Sequence, residues 1–542
     1  MNGKVVAVSL VLTCIAPAAL AQGGQSAAGA AESVPPADAL TRPGSIYVER
    51  IEVRGSSVFT AADLMVMTAP YEHRDVSVEE LHELRHTLSR AYVDRGYVSS
   101  GVVIPDQRVA DGTVVLQAIE GDLTEIDVHG NHRFREAALA KRIERGVQEP
   151  LDIDDLEESL ETIREDPLVE RIDAQLLPGE ELGQSYLRLG ITERPPLEIE
   201  AVASNDRSTS VGEDRGTVGI TYRGLIGNGD VLSARFGFTD GVEDDFLSYR
   251  VPLTAGGVVL EIVGIDQQAD IVEEPFTSVD IESRLKSLSF TASYPFIHEG
   301  ADTLTGIVGF EHKHSESTLL DMPFSFSPGD VDGRAQGSTV VAGVDWSRNA
   351  SPRAWAARGM LQIGIDALDA TVNAVGPDSE FVAFVGQLQF LQTLDDGSRF
   401  IARGLVQATH DPLLAMYKFP VGGRYTVRGY RENQFVRDNA VIASIEYQVP
   451  VVVDAAGRPR GNVYLAVFAD YGASWDENDA LTTSAKEEIG SAGLGVLWDP
   501  LPGLHAEVYW GAAKQDVGNP SSSLQDQGIH YRLSFNRAFG SP

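Results

Sequence analysis

Val421-Gly-Gly-Arg-Tyr-Thr-Val-Arg-Gly-Tyr430 is a glycine-rich stretch with arginines, set in the longest connection between strand-like segments of a long β-rich region. Taken alone it reads as a turn. Its meaning changes beside Phe468-Ala-Asp-Tyr-Gly472, about forty residues further on. Successive side chains of a strand point to opposite faces, so in 463–472 the residues Val463, Leu465, Val467, Ala469 and Tyr471 form one apolar face. Asp470 falls on the other, with Tyr464, Ala466, Phe468 and Gly472. If the region closes into a membrane barrel, that second face looks into the lumen. An arginine on an inward-folded connection would then meet Asp470 as a bidentate pair, out of bulk water.

Val427-Arg428-Gly429-Tyr430 resembles the VRGY motif of the long pore loop in two-partner secretion transporters, the haemolysin secretion/activation proteins of the ShlB/FhaC/HecB type. Phe468-x-Asp470-x-Gly472 resembles that family's second motif, a lumen-facing strand aspartate that pairs with the motif arginine. The resemblance implies an outer-membrane barrel of the superfamily that also holds the barrel-assembly proteins.

Composition sets the outer bounds. The 542 residues carry 43 Lys and Arg against 79 Asp and Glu, a formal charge of −36 with a pI near 4.6. Phosphate binding needs clustered cations, so a nucleic-acid partner is not expected. The acidic excess suits a secreted or cell-surface protein, and equally any soluble acidic surface. The single cysteine, Cys14, lies in an N-terminal segment with Lys4, an apolar run from Val5 to Ala16, Pro17, and Ala19-Leu20-Ala21 before Gln22. That is a secretory signal, residues 1–21, with a small-x-small cleavage site. Thr13 before Cys14 does not fit a lipoprotein signal. The mature chain is then expected to have no disulfide and no thiolate metal site. No other stretch approaches the eighteen apolar residues of a spanning helix.

Residues 22–45 are rich in Ala, Gly, Ser and Pro and read as a flexible linker. Family members often place a plug helix here. Only 13 residues separate Gln22 from Pro35-Pro36, and at 1.5 Å each they make a helix of only ~20 Å, so a plug of that kind is not expected.

A pattern then repeats. Ile51-x-Val53-x-Gly55 before Phe59 returns as Ile126-x-Val128-x-Gly130 before Phe134, offset by 75 residues. Each short strand and glycine turn precedes two helical patterns, about 60–69 and 77–95, then 134–146 and 152–165, with Asp152 as a cap. Leu81, Leu84, Leu88, Ala91 and Tyr92 share one helical face, as do Leu156, Leu160 and Ile163. Strands 97–104 and 112–119 close the first unit, 168–177 and 185–193 the second. The order β-α-α-β-β, with Gly96-Tyr97-Val98 and 111–121, resembles polypeptide-transport-associated (POTRA) domains, here 46–121 and 122–196. The resemblance implies capture of an unfolded client, and an exposed sheet edge can add an extended segment through main-chain hydrogen bonds.

After Arg194-Pro195-Pro196 the helical patterns vanish, and 197–539 reads as about sixteen alternating strands. In Ser287–Tyr294, Leu288, Phe290, Ala292 and Tyr294 oppose Ser287, Ser289, Thr291 and Ser293. Val218/Ile220/Tyr222, Ala443/Ile445/Tyr447 and Leu504/Ala506/Val508/Trp510 repeat the scheme, the last two opposite Ser444/Glu446/Gln448 and His505/Glu507/Tyr509. A soluble sandwich also alternates. An even strand count would close a barrel with both termini on one side. The last strand, Ile529–Phe539, carries Tyr531, Leu533, Phe535 and Phe539 on one face, interrupted by Arg537. Its terminal aromatic resembles the signal by which barrel-assembly machinery inserts such proteins. The connection 409–439, between strands eleven and twelve, is where the family places its pore loop.

Other chemistry finds little footing. There is no phosphate loop, no dinucleotide fingerprint, no H-E-x-x-H and no G-x-S-x-G elbow. His312 and His314 share a face without a third ligand, and His410-Asp411 is the one adjacent pair to test as a catalytic dyad. No catalytic residue, metal or cofactor is expected. The expectation is two POTRA-like modules and a sixteen-stranded outer-membrane barrel that exports a large β-helical, adhesin- or haemolysin-like client. Its contacts would include outer-membrane lipids. The motif residues would be Val427, Arg428, Gly429 and Tyr430 on the loop and Phe468, Asp470 and Gly472 on the strand. A barrel-assembly factor, a plain porin, which would not need the modules, and an outer-membrane hydrolase are the alternatives.

Overall fold

A computed structural model describes residues 44–109, 111–451, 463–477, 486–518 and 523–540. The expected signal sequence and nearly all of the linker lie outside these residues. Two compact units divide at Arg194 and Pro195.

The first unit holds two modules. In the first, β1 (Ser45–Val48) is followed by β2 (Arg50–Arg54), α1 (Ala61–Thr68), β3 (Arg74–Ser77), α2 (Val78–Asp94), β4 (Gly101–Val103) and β5 (Thr113–Ile119). Reciprocal capping boxes start both helices: Thr60 with Asp63, and Ser77 with Glu80. The 3.6-residue period turns Leu81, Leu84, Leu88 and Tyr92 of α2 inward, onto the sheet β2-β5-β4.

The β1–β3 pair has no counterpart in the sequence reading. Arg74-Asp-Val-Ser77 has a single apolar side chain, too few to alternate visibly. It becomes a strand only because Val76 meets Ile46 across the pair and is fully buried. Residues 97–100, read as strand, instead turn through the Ser100 N–H to Tyr97 carbonyl bond (3.0 Å).

The second module runs β6 (Asp122–His129), α3 (Glu136–Gly146), α4 (Ile153–Arg164), β7 (Val169–Pro178) and β8 (Gln184–Glu193), with sheet order β6-β8-β7. Asp152 caps α4 by accepting the Asp154 N–H. Sixteen buried side chains, among them Phe134, Leu139 and Leu156, form its core. A single residue pair, Glu120-Gly121, joins the modules, and the Leu151 N–H to Gly121 carbonyl bond (2.7 Å) ties them.

A carboxylate closes each module in the same way. Glu193, fully buried, accepts the N–H groups of His132, Arg133 and Phe134 at 2.7–3.0 Å. Glu120 accepts those of Ser57 and Val58 and the hydroxyls of Ser57 and Tyr92. Burial opposes the charge on Glu120, but these bonds outweigh it and hold its carboxyl below the usual range. Burial pushes the Tyr92 hydroxyl up to about 12.

Among the described residues of the second unit, sixteen strands close one antiparallel barrel, with a two-residue extension at Met322–Pro323. The first strand, Leu197–Ser204, meets the sixteenth, Ile529–Phe539, in eight residue pairs. Register carries each face around the wall: Ile262 stands beside Phe290, Phe290 beside Phe310, and Phe310 beside Val340. Leu288, Phe290 and Tyr294 are exposed on the outside, while Ser287 is buried on the inside. Val218, Ile220, Ile445, Val508 and Trp510 likewise face out. The barrel is therefore apolar outside and polar within, the arrangement lipid demands.

Candidate functional site

The longest described connection, 410–438, joins the eleventh strand, Arg399–Thr409, to the twelfth, Asn439–Pro450. It holds a small hairpin, Phe419–Val421 paired with Phe435–Arg437. Lys418 Nζ binds Asp476 (2.8 Å) and Asp438 (3.1 Å), and Arg437 binds Asp476 (3.2 Å), fixing the hairpin's base. Val421, Val427 and Tyr430 then pack on Ala440, Ile442 and Ile489 of the inner wall.

Arg428 reaches the thirteenth strand, Val463–Trp475. Its Nε donates to Asp470 Oδ2 at 2.8 Å, its Nη2 to Oδ1 at 2.9 Å, and its own backbone N–H to Oδ2 at 3.0 Å. Nη1 donates to Glu446 Oε2, and Nη2 also reaches Ser444 Oγ at 3.3 Å. Arg428, Asp470 and Glu446 are 3%, 5% and 3% exposed, so this is a dry cluster of one cation and two carboxylates. Glu446 is relieved by Tyr509 Oη (3.0 Å) and Gln448 Nε2 (2.6 Å). The guanidinium plane lies over the Phe468 ring, 3.6 Å from its centre, and 4.7 Å from that of Tyr509.

The remaining motif residues occupy defined places. Gly472 leaves room for the loop: a Cβ there would stand 2.7 Å from Val427 and 2.8 Å from Val421. Gly429 has φ +92°, and a Cβ on it would stand 2.7 Å from the carbonyl of Gly511. Two glycine backbones cross there, and the Gly429 N–H donates to His530 Nε2 at 3.1 Å. The Tyr430 hydroxyl lies 3.0 Å from the Gly490 carbonyl and from Gln515 Oε1. All seven motif residues thus converge on one patch of the lumen.

Several neighbours were invisible as partners in the sequence. Glu446 and Glu507 lie on polar strand faces, but a face says only "inward". The register, Ser444 beside Asp470 and Glu446 beside Phe468, is what brings Glu446 to Arg428. Glu507 binds Arg424, whose N–H also donates to Glu432 (2.6 Å).

The histidines go elsewhere. His312 bonds Ser338 (3.0 Å) and His314 bonds Glu316 (3.1 Å). The Asp411 carboxylate is engaged by the Val382 N–H (2.9 Å), and His410 is exposed.

Residues 183–497 match the family described as haemolysin secretion/activation protein ShlB/FhaC/HecB, and 46–121 match the ShlB-type POTRA domain. The outer membrane transporter CdiB of Dickeya dadantii is 21% identical over 501 residues, covering 88% of this chain and 83% of the relative. The solved structure of CdiB from Escherichia coli superposes with TM-score 0.66 at 16% identity, covering 93% of each chain. BamA from Haemophilus ducreyi lacking POTRA domains 1–3 superposes with TM-score 0.56 at 14% identity, over 91% of this chain and 100% of that one. Likeness at these identities speaks for the fold alone.

Proposed function

The chain belongs to the haemolysin secretion/activation family, outer-membrane transporters that secrete a partner protein, and we propose how its parts divide that task. The two modules lie in the periplasm and take up the partner's secretion domain in extended form. Their longest free edge among the described residues is β7, ten residues paired only with β8, with Glu170, Arg171, Asp173 and Gln175 exposed. An extended segment added there gains main-chain hydrogen bonds without demanding one sequence. The client is a large β-helical protein of adhesin or haemolysin type, and its folding outside draws it outward. Lipids cover the apolar outer wall, and barrel-assembly machinery inserts it. No catalytic step, metal or cofactor takes part.

The observation that carries this reading is the dry clamp of Arg428 on Asp470 and Glu446, which holds the 410–438 loop against the inner wall. Its role is to keep the pore closed and the loop in register until a client arrives. Removing one partner leaves a buried charge unpaired, a cost of ~3–5 kcal/mol when fully dry and less in a wet pore. Arg428→Ala and Asp470→Ala should leave heat-modifiable barrel in the outer membrane while the client disappears from the medium. Normal secretion by both variants would remove the clamp from the mechanism.

The shared barrel fold keeps an assembly role as the second reading. Proteomics of medium and outer membrane, with and without the gene, separates the two. Loss of one or a few large secreted proteins supports export, whereas broad depletion of other barrels supports assembly.

A further inference from the structure

Arg431 follows the loop motif directly, yet it binds a wholly different set of groups. Its Nε and Nη2 hold Asp526 in a fork at 2.5 and 2.9 Å, and its Nη1 donates to Glu273 at 2.9 Å. Asp526 belongs to the connection before the sixteenth strand, and Glu273 to 271–280, between the fifth and sixth strands. Glu273 also accepts from Ser210 Oγ (3.2 Å) in 205–214, between the first and second strands. Each of these connections lies at the barrel end opposite Leu197 and Phe539.

A second tie runs beside the first. The Glu432 N–H donates to Gln525 Oε1 at 2.8 Å, and Gln525 Nε2 donates to the carbonyls of Asn205 and Arg207 at 2.7 Å each. Glu213 accepts the Leu524 and Gln525 N–H groups (3.1 and 3.3 Å). Asn205 itself prolongs the closing seam, with bonds to Ile529 and Tyr531 of the sixteenth strand.

The structure assigns to Arg431, seconded by Gln525, a latch that joins the pore loop to three surface connections, so that loop and outer mouth release together. The assignment deepens the reading of the loop as the closing element of the pore. Arg428 and Arg431 then act at different places. Arg428 fixes the loop to the wall, and Arg431 fixes the mouth to the loop. The loop cannot leave without freeing Glu273 and Asp526 from their shared cation, and those connections cannot part without pulling on the loop. Arginine suits the task because its planar fork grips one carboxylate with two donors and leaves a third for another. Lysine would carry the charge without the fork.

The test uses the purified full-length protein in planar lipid bilayers, where current is read without any client. Arg431→Glu and Asp526→Arg, made singly, should each raise the time spent conducting about tenfold, a size within the usual range for coupled conformational states. The double variant, Arg431→Glu with Asp526→Arg, should fall back toward the parent, and Arg431→Lys should lie between. Heat-modifiable mobility verifies that each variant is a folded barrel, and the double variant's return excludes general damage. Singles that conduct like the parent, or a double that conducts like the singles, overturn the latch. Secretion is scored separately: a parent strain that exports no partner overturns the transport reading while leaving the bilayer result to decide the latch.

Discussion

The periplasmic modules and the barrel interior solve opposite packing problems with the same set of side chains. In the modules, buried positions are overwhelmingly apolar, and Glu193, the one fully buried carboxylate among their described residues, serves backbone N–H groups. In the barrel most apolar strand residues face outward, and beside a small apolar patch under the loop the interior holds Arg428, Asp470, Glu446 and Glu507, matched by geometry rather than by bulk. A core of leucines holds its shape through close packing and tolerates little loss of volume. A polar lumen holds its shape through specific pairs, each of which can be exchanged for another partner or for water. That difference suits the division of labour proposed above, in which rigid modules receive the partner and the loop moves.

Three experiments would break or sharpen this contrast. The largest effect is expected from Phe134→Ala, which hollows the second module's core and should cost ~3–5 kcal/mol. Limited proteolysis of the full-length protein in membranes would show cleavage within 122–193 while the barrel stays resistant. Next comes a pair of neighbours on the sixth strand. Phe290→Arg places a charge on the lipid face, at ~2–4 kcal/mol near the bilayer midplane, whereas Ser289→Arg places it in the lumen. Urea unfolding in vesicles should separate the two by most of that amount, and equal costs would contradict the inside-out assignment.

The smallest effect concerns Glu120, whose carboxyl is held below its ordinary value. A depressed folded-state value means the stabilisation is present above the unfolded value, near 4.3, and fades as pH falls through the folded one. Glu120→Gln should therefore weaken the first module at pH 7 more than at acid pH, read as the gap between the variant and parent proteolysis rates. A gap that stays constant with pH would assign the effect to packing instead.

Much of the architecture was legible because it rests on periodicity. The two modules announce themselves in the 75-residue echo of Ile51-x-Val53-x-Gly55, and the barrel in alternations such as Leu288 to Tyr294 against Ser287 to Ser293. These patterns are local, and the burial they imply follows from backbone geometry alone. The short strand Arg74–Ser77 had no such signature, since its pairing with Ser45–Val48 depends on residues about thirty positions away.

At the candidate site, alternation turned Asp470 inward, and the motif resemblance pointed Arg428 at it. Alternation could not nominate Glu446 as a second carboxylate, because strand register, not strand face, sets which inward side chains touch. Nor could it find Gly511 opposite Gly429, or Glu273 and Asp526 around Arg431, which lie 158 and 95 residues from it. The sequence by itself determined most of the long periodic strands, which face meets lipid, and the repeat of two modules before the barrel. Closure of the barrel decided the rest: only when the first strand meets the sixteenth do distant connections share one mouth, and only there does a single arginine find them together.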